Sequence, residues 1–142
     1  IHSPTPIKHK VTQDYIEFIN THKSSKFKLM IDTGIFQTAP CDDGHEGIEV
    51  KGGKRPPFLE PLNVPMADLQ EILQHVYFIQ TKFFEIDDQL NDLHIPWQPI
   101  VETLQNAGWK GWLSSEYEGR REPYRGRDQV RRQHALLRNL LK

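Results

Sequence analysis

Three side chains that could hold a hard metal ion stand at corresponding places in three apolar runs. Asp32 ends Leu29-Met30-Ile31, Gln80 lies within Val76–Phe84, and Glu116 follows Trp112-Leu113-Ser114-Ser115. Carboxylate and carboxamide oxygens suit Mn²⁺, Mg²⁺ or Co²⁺ better than copper or zinc. Each residue also has a plainer role: Asp32 organising the Thr33-Gly34 turn, Gln80 as a satisfied buried amide, Glu116 as a solvated strand end. Lys82 either snorkels out of its strand or neutralises Glu85. His2 reads as a strand-end residue. Alternation along a strand puts Glu116 and Glu118 on one face, and Gly119 permits a sharp exit.

The elements that position these groups follow from periodicity. Ile1-His2-Ser3-Pro4 reads as the end of a strand already under way, and a fragment is expected. A helix is predicted over Val11–His22 with Val11, Tyr15, Phe18 and Ile19 on its apolar face and Thr12 or Thr5 as cap. Phe27–Phe36 reads as a strand buried on both faces. Pro65–Gln74 is a second helix, with Met66, Leu69, Ile72 and Leu73 inward. The Val76–Phe84 strand follows. A helix carrying Ile100, Val101, Leu104 and Ala107 is closed by Gly108. The Trp112 strand comes next, and a last helix from Asp128 turns Val130, Leu136, Leu137, Leu140 and Leu141 inward. Residues 37–63 hold much of the Gly and Pro without a period and are expected to be an inserted loop over the strand ends. No internal repeat or low-complexity tract interrupts this order.

Alternating strands and helices with apolar strands imply an α/β fold with a parallel sheet, whose sites lie at the strand C-termini. Four βα units, the first cut short, make half of a (β/α)₈ barrel. The 142 residues fit a single unit. A net charge of −1 gives no sign of a general affinity for nucleic acid or membrane. Seven arginines fall between Arg120 and Arg138, but only Tyr124 interleaves with them, and Arg127, Arg131, Arg132 and Arg138 spread around the last helix as a solvated or interface face would. The lone Cys41 excludes an internal disulfide and fits a reducing, cytoplasmic setting. No apolar run reaches the roughly 18 residues of a membrane span.

The stretches Ile31-Asp32-Thr33-Gly34-Ile35-Phe36, Lys82-Phe83-Phe84-Glu85-Ile86-Asp87 and Gly111-Trp112-Leu113-Ser114-Ser115-Glu116-Tyr117-Glu118-Gly119 resemble the xylose-isomerase-like family of TIM-barrel sugar isomerases and epimerases. More narrowly, they resemble the catalytic subunits of bacterial C-glycoside deglycosidases. The resemblance runs over essentially the whole chain and implies strands five to eight of a TIM barrel. It implies a divalent metal, Mn²⁺ before Mg²⁺ or Co²⁺, held by Glu, Asp, His and Glu. Asp32 and Glu116 match the second and fourth ligands. Gln80 stands where the family has its histidine, a departure that puts the third ligand in doubt. The first ligand would precede Ile1, 32 residues from Asp32. Gln80 to Glu116 is 36 residues, and the 48 from Asp32 to Gln80 include the 37–63 insertion.

The resemblance further implies proton abstraction beside a sugar carbonyl, with His2 as base, Glu116 as ligand and acid/base partner, and Lys82 on a substrate oxygen or a phenolic aglycone. Glu118 is expected in a supporting place or paired with Arg120 or Arg121. The implied substrate is a sugar or a 3-keto C-glycoside, opened by loss of the C2 proton and expulsion of the aglycone carbon. The implied partner is the N-terminal half-barrel, with a small second subunit and an oligomer left open. Two rivals stand beside this reading. One is an abasic-site endonuclease on the same fold, whose metal cluster is richer in histidine. The other is a non-catalytic half-barrel module.

Overall fold

The computed structural model describes residues 1–23, 25–40, 49–50, 53–54, 61–119 and 125–142. Among these, the strands with the longest apolar runs pair first. β1 (Leu29–Asp32), β4 (Val76–Phe83) and β5 (Trp112–Tyr117) form a three-stranded sheet in the order β1-β4-β5, parallel throughout. The predicted α/β fold with a parallel sheet is therefore present. Between β1 and β4, β2 (Glu49–Val50) and β3 (Gly53–Lys54) make a two-residue antiparallel pair that the sequence pattern did not announce. The rest of the expected insertion lies largely outside the described residues, as do Arg120 and Arg121.

Register fixes which side chains share a face. Asp32 pairs with Gln80 and Gln80 with Ser114, while Lys82 pairs with Glu116. Paired residues point the same way in a sheet. One face therefore carries Met30, Asp32, Phe78, Gln80, Lys82, Trp112, Ser114 and Glu116. The other carries Ile31, Ile79 and Phe83, each at most 1% exposed. The helices α2 (Met66–Ile72), α3 (Trp97–Asn106) and α4 (Gly126–Leu140) build the core with that second face, α2 packing on α3, and α4 on both α3 and β5. The first face is open at its lower end, where Trp112 is 66% exposed and Ser114 is exposed. β5 is covered on one face only, its other face leaving Trp112 and Ser114 exposed.

The first predicted strand survives as one residue. The Ile1 nitrogen donates to Met30 O at 2.6 Å, and Ile1 O accepts from Asp32 N at 2.9 Å. These are the two bonds that a residue in a parallel strand makes to the neighbours of its partner, here Ile31. They carry His2 to the C-terminal end of β1.

The first helix is displaced from its prediction in a different way. α1 (Lys10–His22) is capped by His9, whose Nδ1 accepts from Val11 N at 3.2 Å, and neither Thr5 nor Thr12 is the cap. Thr12 and Ile19 are buried, while Val11, Tyr15 and Phe18 are nearly half exposed. Phe18 and Tyr15 instead form a ring cluster with Phe27. In α3 the apolar residues Ile100, Val101 and Leu104 are buried, but Ala107 is exposed as the C-cap, and Gly108 follows at φ +61°. No helix among the described residues is long and apolar enough to cross a membrane.

The inward stripe of α4 is Gln129, Gln133 and Leu137, with Val130, Leu136 and Leu140 only partly buried and Leu141 exposed. The two glutamines serve the backbone of β4 and of the segment that follows it. Gln129 Oε1 accepts from Ile86 N at 2.9 Å and its Nε2 donates to Ile86 O at 3.2 Å. Gln133 Nε2 donates to Thr81 O at 2.8 Å. A buried amide with backbone partners on both sides replaces the ladder that a neighbouring strand would supply.

Candidate functional site

Asp32 is the last residue of β1 and the cap of the short 3₁₀ turn Thr33–Phe36. Its Oδ1 accepts from Gly34 N at 2.7 Å, which locks the carboxylate and leaves Oδ2 facing the sheet's open side. The turn role and the site role are thus filled by different oxygens of one side chain. Thr33 Oγ1 donates to Lys82 O at 2.7 Å and ties the turn to β4.

Lys82 is fully buried, and neither snorkelling nor a pairing with Glu85 describes its ammonium. Four acceptors surround Nζ. His2 Nε2 is at 2.7 Å, Asp32 Oδ2 at 3.0 Å, Glu118 Oε2 at 3.2 Å and Glu116 Oε2 at 3.6 Å. Their origins explain the convergence. Asp32 ends β1, and Glu116 lies beside Lys82 in the register of β5. Glu118 is two residues further on and held by its own N–H to Phe83 O at 3.0 Å. His2 is delivered by the Ile1 bridge.

Lysine ammonium can only donate, so at this contact His2 Nε2 accepts and carries no proton. The ring proton then sits on Nδ1, which donates to Ser3 O at 2.5 Å; this tautomer is assigned from the two contacts. His2 Nε2 also lies 3.3 Å from Asp32 Oδ2. A neutral imidazole with its lone pair turned into a carboxylate cluster is a competent base or ligand.

Burial by itself would push the Lys82 pKa down, but Asp32, Glu118 and Glu116 outweigh it and hold it above lysine's ordinary value. Lys82 is a fixed cation. Burial pushes the Glu116 carboxyl up; Lys82 opposes this, while Asp32 and Glu118 add to it. Three carboxylates confront one ammonium, an excess of two negative charges. Asp32 Oδ2, Glu116 Oε2 and Glu118 Oε2 are all shielded from solvent without a well-directed hydrogen bond.

Of the sequence-predicted residues, the structure brings together His2, Asp32, Lys82 and Glu116. Gln80 lies level with Asp32 on the same face, one alternation below Lys82 and half-buried. Glu118 joins them at 3.2 Å from Lys82 Nζ, while its expected pairing with Arg120 or Arg121 lies outside the described residues. Strand alternation with Glu116 was the signal for Glu118.

Oxygen-rich donors with one imidazole are the set a hard divalent ion takes. The donor chemistry fits such an ion. Among the described residues, however, no three His, Cys, Asp or Glu side chains are drawn together as ligands. Their present spacing is that of a shell around Nζ.

No family model matches the chain. Over 82 residues, 55% of its length, it is 30% identical to the C-glycoside deglycosidase alpha subunit of Arthrobacter globiformis. The chain spans 23% of that relative. The relationship is distant and partial, and the relative is one subunit of its enzyme.

Proposed function

We propose that this chain is the C-terminal half of a (β/α)₈ barrel of the xylose-isomerase-like type. In this reading it serves a divalent-metal-dependent enzyme that removes a proton beside a sugar carbonyl. The reaction is deglycosidation of a 3-keto C-glycoside, or isomerisation or epimerisation of a sugar. The observation that carries this reading is the gathering of His2, Asp32, Glu116 and Glu118 around one point at the C-terminal end of a parallel sheet. The distant match to a C-glycoside deglycosidase subunit supports the substrate class.

In this reading Asp32, Glu116 and Glu118 are the near donors to the metal, with Gln80 below them. The ion, Mn²⁺ for preference, would supply Lewis-acid polarisation of adjacent sugar oxygens. The chain's own residues do the rest. His2, its side chain 54% exposed, is the group able to take up the C2 proton at Nε2. Glu116, as acid/base partner, returns a proton to the departing carbon. Lys82 supplies a fixed positive charge to a developing enolate oxygen once its Nζ leaves the carboxylates. An N-terminal half-barrel, and a second subunit as in the relative, complete the assembly.

The test uses the full-length protein with its partner subunits. Glu116→Gln is expected to lower bound Mn²⁺ by about tenfold or more and to abolish turnover of a 3-keto C-glycoside. Unchanged metal content together with unchanged turnover would sink the proposal.

A further inference from the structure

The face of the sheet opposite Lys82 carries polar groups that the reading above does not use. There Thr81 of β4 and Ser115 of β5 stand side by side in register. α4 packs over β5 and sets His134, Leu137 and Arg138 on one stripe, at i, i+3 and i+4. Strand and helix enclose a recess of about 240 Å³. Leu113 and Leu137 form its apolar walls, and Thr81, Ser115, His134 and Arg138 complete it.

The charge of this recess is one-sided. Arg138 makes no ion pair among the described residues, and none of the described residues lining the recess is acidic. Ser115 Oγ and His134 Nε2 lie 3.0 Å apart. Thr81 is 1% exposed, and its Oγ1 is shielded without a hydrogen-bond partner, although its carbonyl accepts from Gln133 Nε2 at 2.8 Å. Folded proteins seldom leave a buried hydroxyl in that condition. The recess therefore combines an uncompensated cation with an unmet donor.

We propose that this recess binds a small oxyanion, the phosphate of a monoester or a carboxylate. The planar guanidinium of Arg138 matches two oxygens of either group. The Ser115 and Thr81 hydroxyls donate to the oxygens that the arginine leaves. His134 makes the serine available: with its proton on Nε2 it donates to Ser115 Oγ, and the serine proton is free for the anion. That tautomer is assigned from this role. A recess of this volume is smaller than the pockets that enclose whole drug-sized ligands, so it takes the charged group and leaves its bearer outside.

The test titrates inorganic phosphate and, separately, acetate into the full-length protein by calorimetry, with chloride holding the ionic strength constant. Metal is left out, because an ion bound on the other face would itself take phosphate. Saturable binding of one anion is expected in the wild type. Arg138→Met is expected to weaken it about tenfold or more, and Thr81→Val several-fold. Thr81→Val is also expected to melt no lower than the wild type without the anion, since it loses only an unpartnered hydroxyl; weaker binding then reports the lost donor. Tighter binding of phosphate assigns the site to a phosphate monoester, and tighter binding of acetate to a carboxylate. Absence of saturable binding of both anions, or an affinity unchanged in Arg138→Met, overturns the site.

Discussion

A methyl group on Gly34 would stand 3.1 Å from Lys82 Cδ and 3.0 Å from Asp32 Oδ1. The lysine stem lies against the turn that ends β1 because that position has no side chain. Asp32 and Lys82 are both fully buried, so neither can give way cheaply. Gly34→Ala is expected to cost about 1–2 kcal/mol in urea unfolding and to lower turnover by loosening Lys82. Wild-type stability in this variant would show that the stem is free to shift.

Glu116 gives a pH dependence with a definite sign. Its folded pKa lies above the unfolded value of 4.5, so above pH 4.5 the folded protein binds more protons than the unfolded chain. Stability therefore falls as pH rises through that window and is lowest above the folded pKa. Glu116→Gln removes the charge that burial and the two neighbouring carboxylates oppose, at the cost of its attraction to Lys82. In metal-free protein at pH 7 it is expected to unfold at an equal or higher temperature than the wild type, by at most about 1 kcal/mol. The difference should shrink as pH approaches 4.5, and a thermal melt series records it.

Gln129 should matter more than its place on a polar helix suggests. Gln129→Leu leaves Ile86 N–H buried with no acceptor, whereas Ile86 O keeps Arg132 Nη1 at 2.7 Å. The orphaned donor is expected to cost about 1–3 kcal/mol by denaturant unfolding. Gln133→Leu should cost less, because the Gln133 Oε1 is already without a partner.

A side chain at residue 119 has no room. An added Cβ would meet Phe84 O at 2.0 Å and the Tyr117 ring at 2.6 Å, and backbone cannot step aside as a side chain can. Gly119→Ala is expected to cost about 3 kcal/mol and to pull Glu118 away from Lys82. A fully stable Gly119→Ala protein would contradict this packing.

Much of this could be read from sequence, and the misses have physical causes. The alternation that groups Glu116 with Glu118 and the repeated polar residue at strand ends are local signals that mark Asp32 and Glu116, whereas His2 is singled out by the family resemblance. The role of Lys82 depends on which face of β4 is covered, a tertiary fact, so its ammonium was placed in the wrong company. Val11, Tyr15 and Phe18 have the spacing of a buried stripe, but each is nearly half exposed, and the Tyr15 and Phe18 rings meet Phe27 instead. Gln129 and Gln133 sit at helical spacing like Leu137. Nothing in the type of a glutamine says that a strandless stretch of backbone around Ile86 needs its amide. The lone Ile1 bridge could be suspected from the apolar start, yet its effect, bringing His2 to Lys82, needed the sheet register.

The open face of the sheet has an optical consequence. Trp97 is buried with its indole N–H on Asp92, and Trp109 is partly buried with its N–H on Val76 O. Trp112, two-thirds exposed, stands beside Phe78 on the face that also carries Lys82 and Glu116. Its red-shifted, easily quenched fluorescence is therefore a gauge of whatever closes over that face. A blue shift and loss of acrylamide quenching when a partner binds, absent in Trp112→Phe, would time the covering of that face.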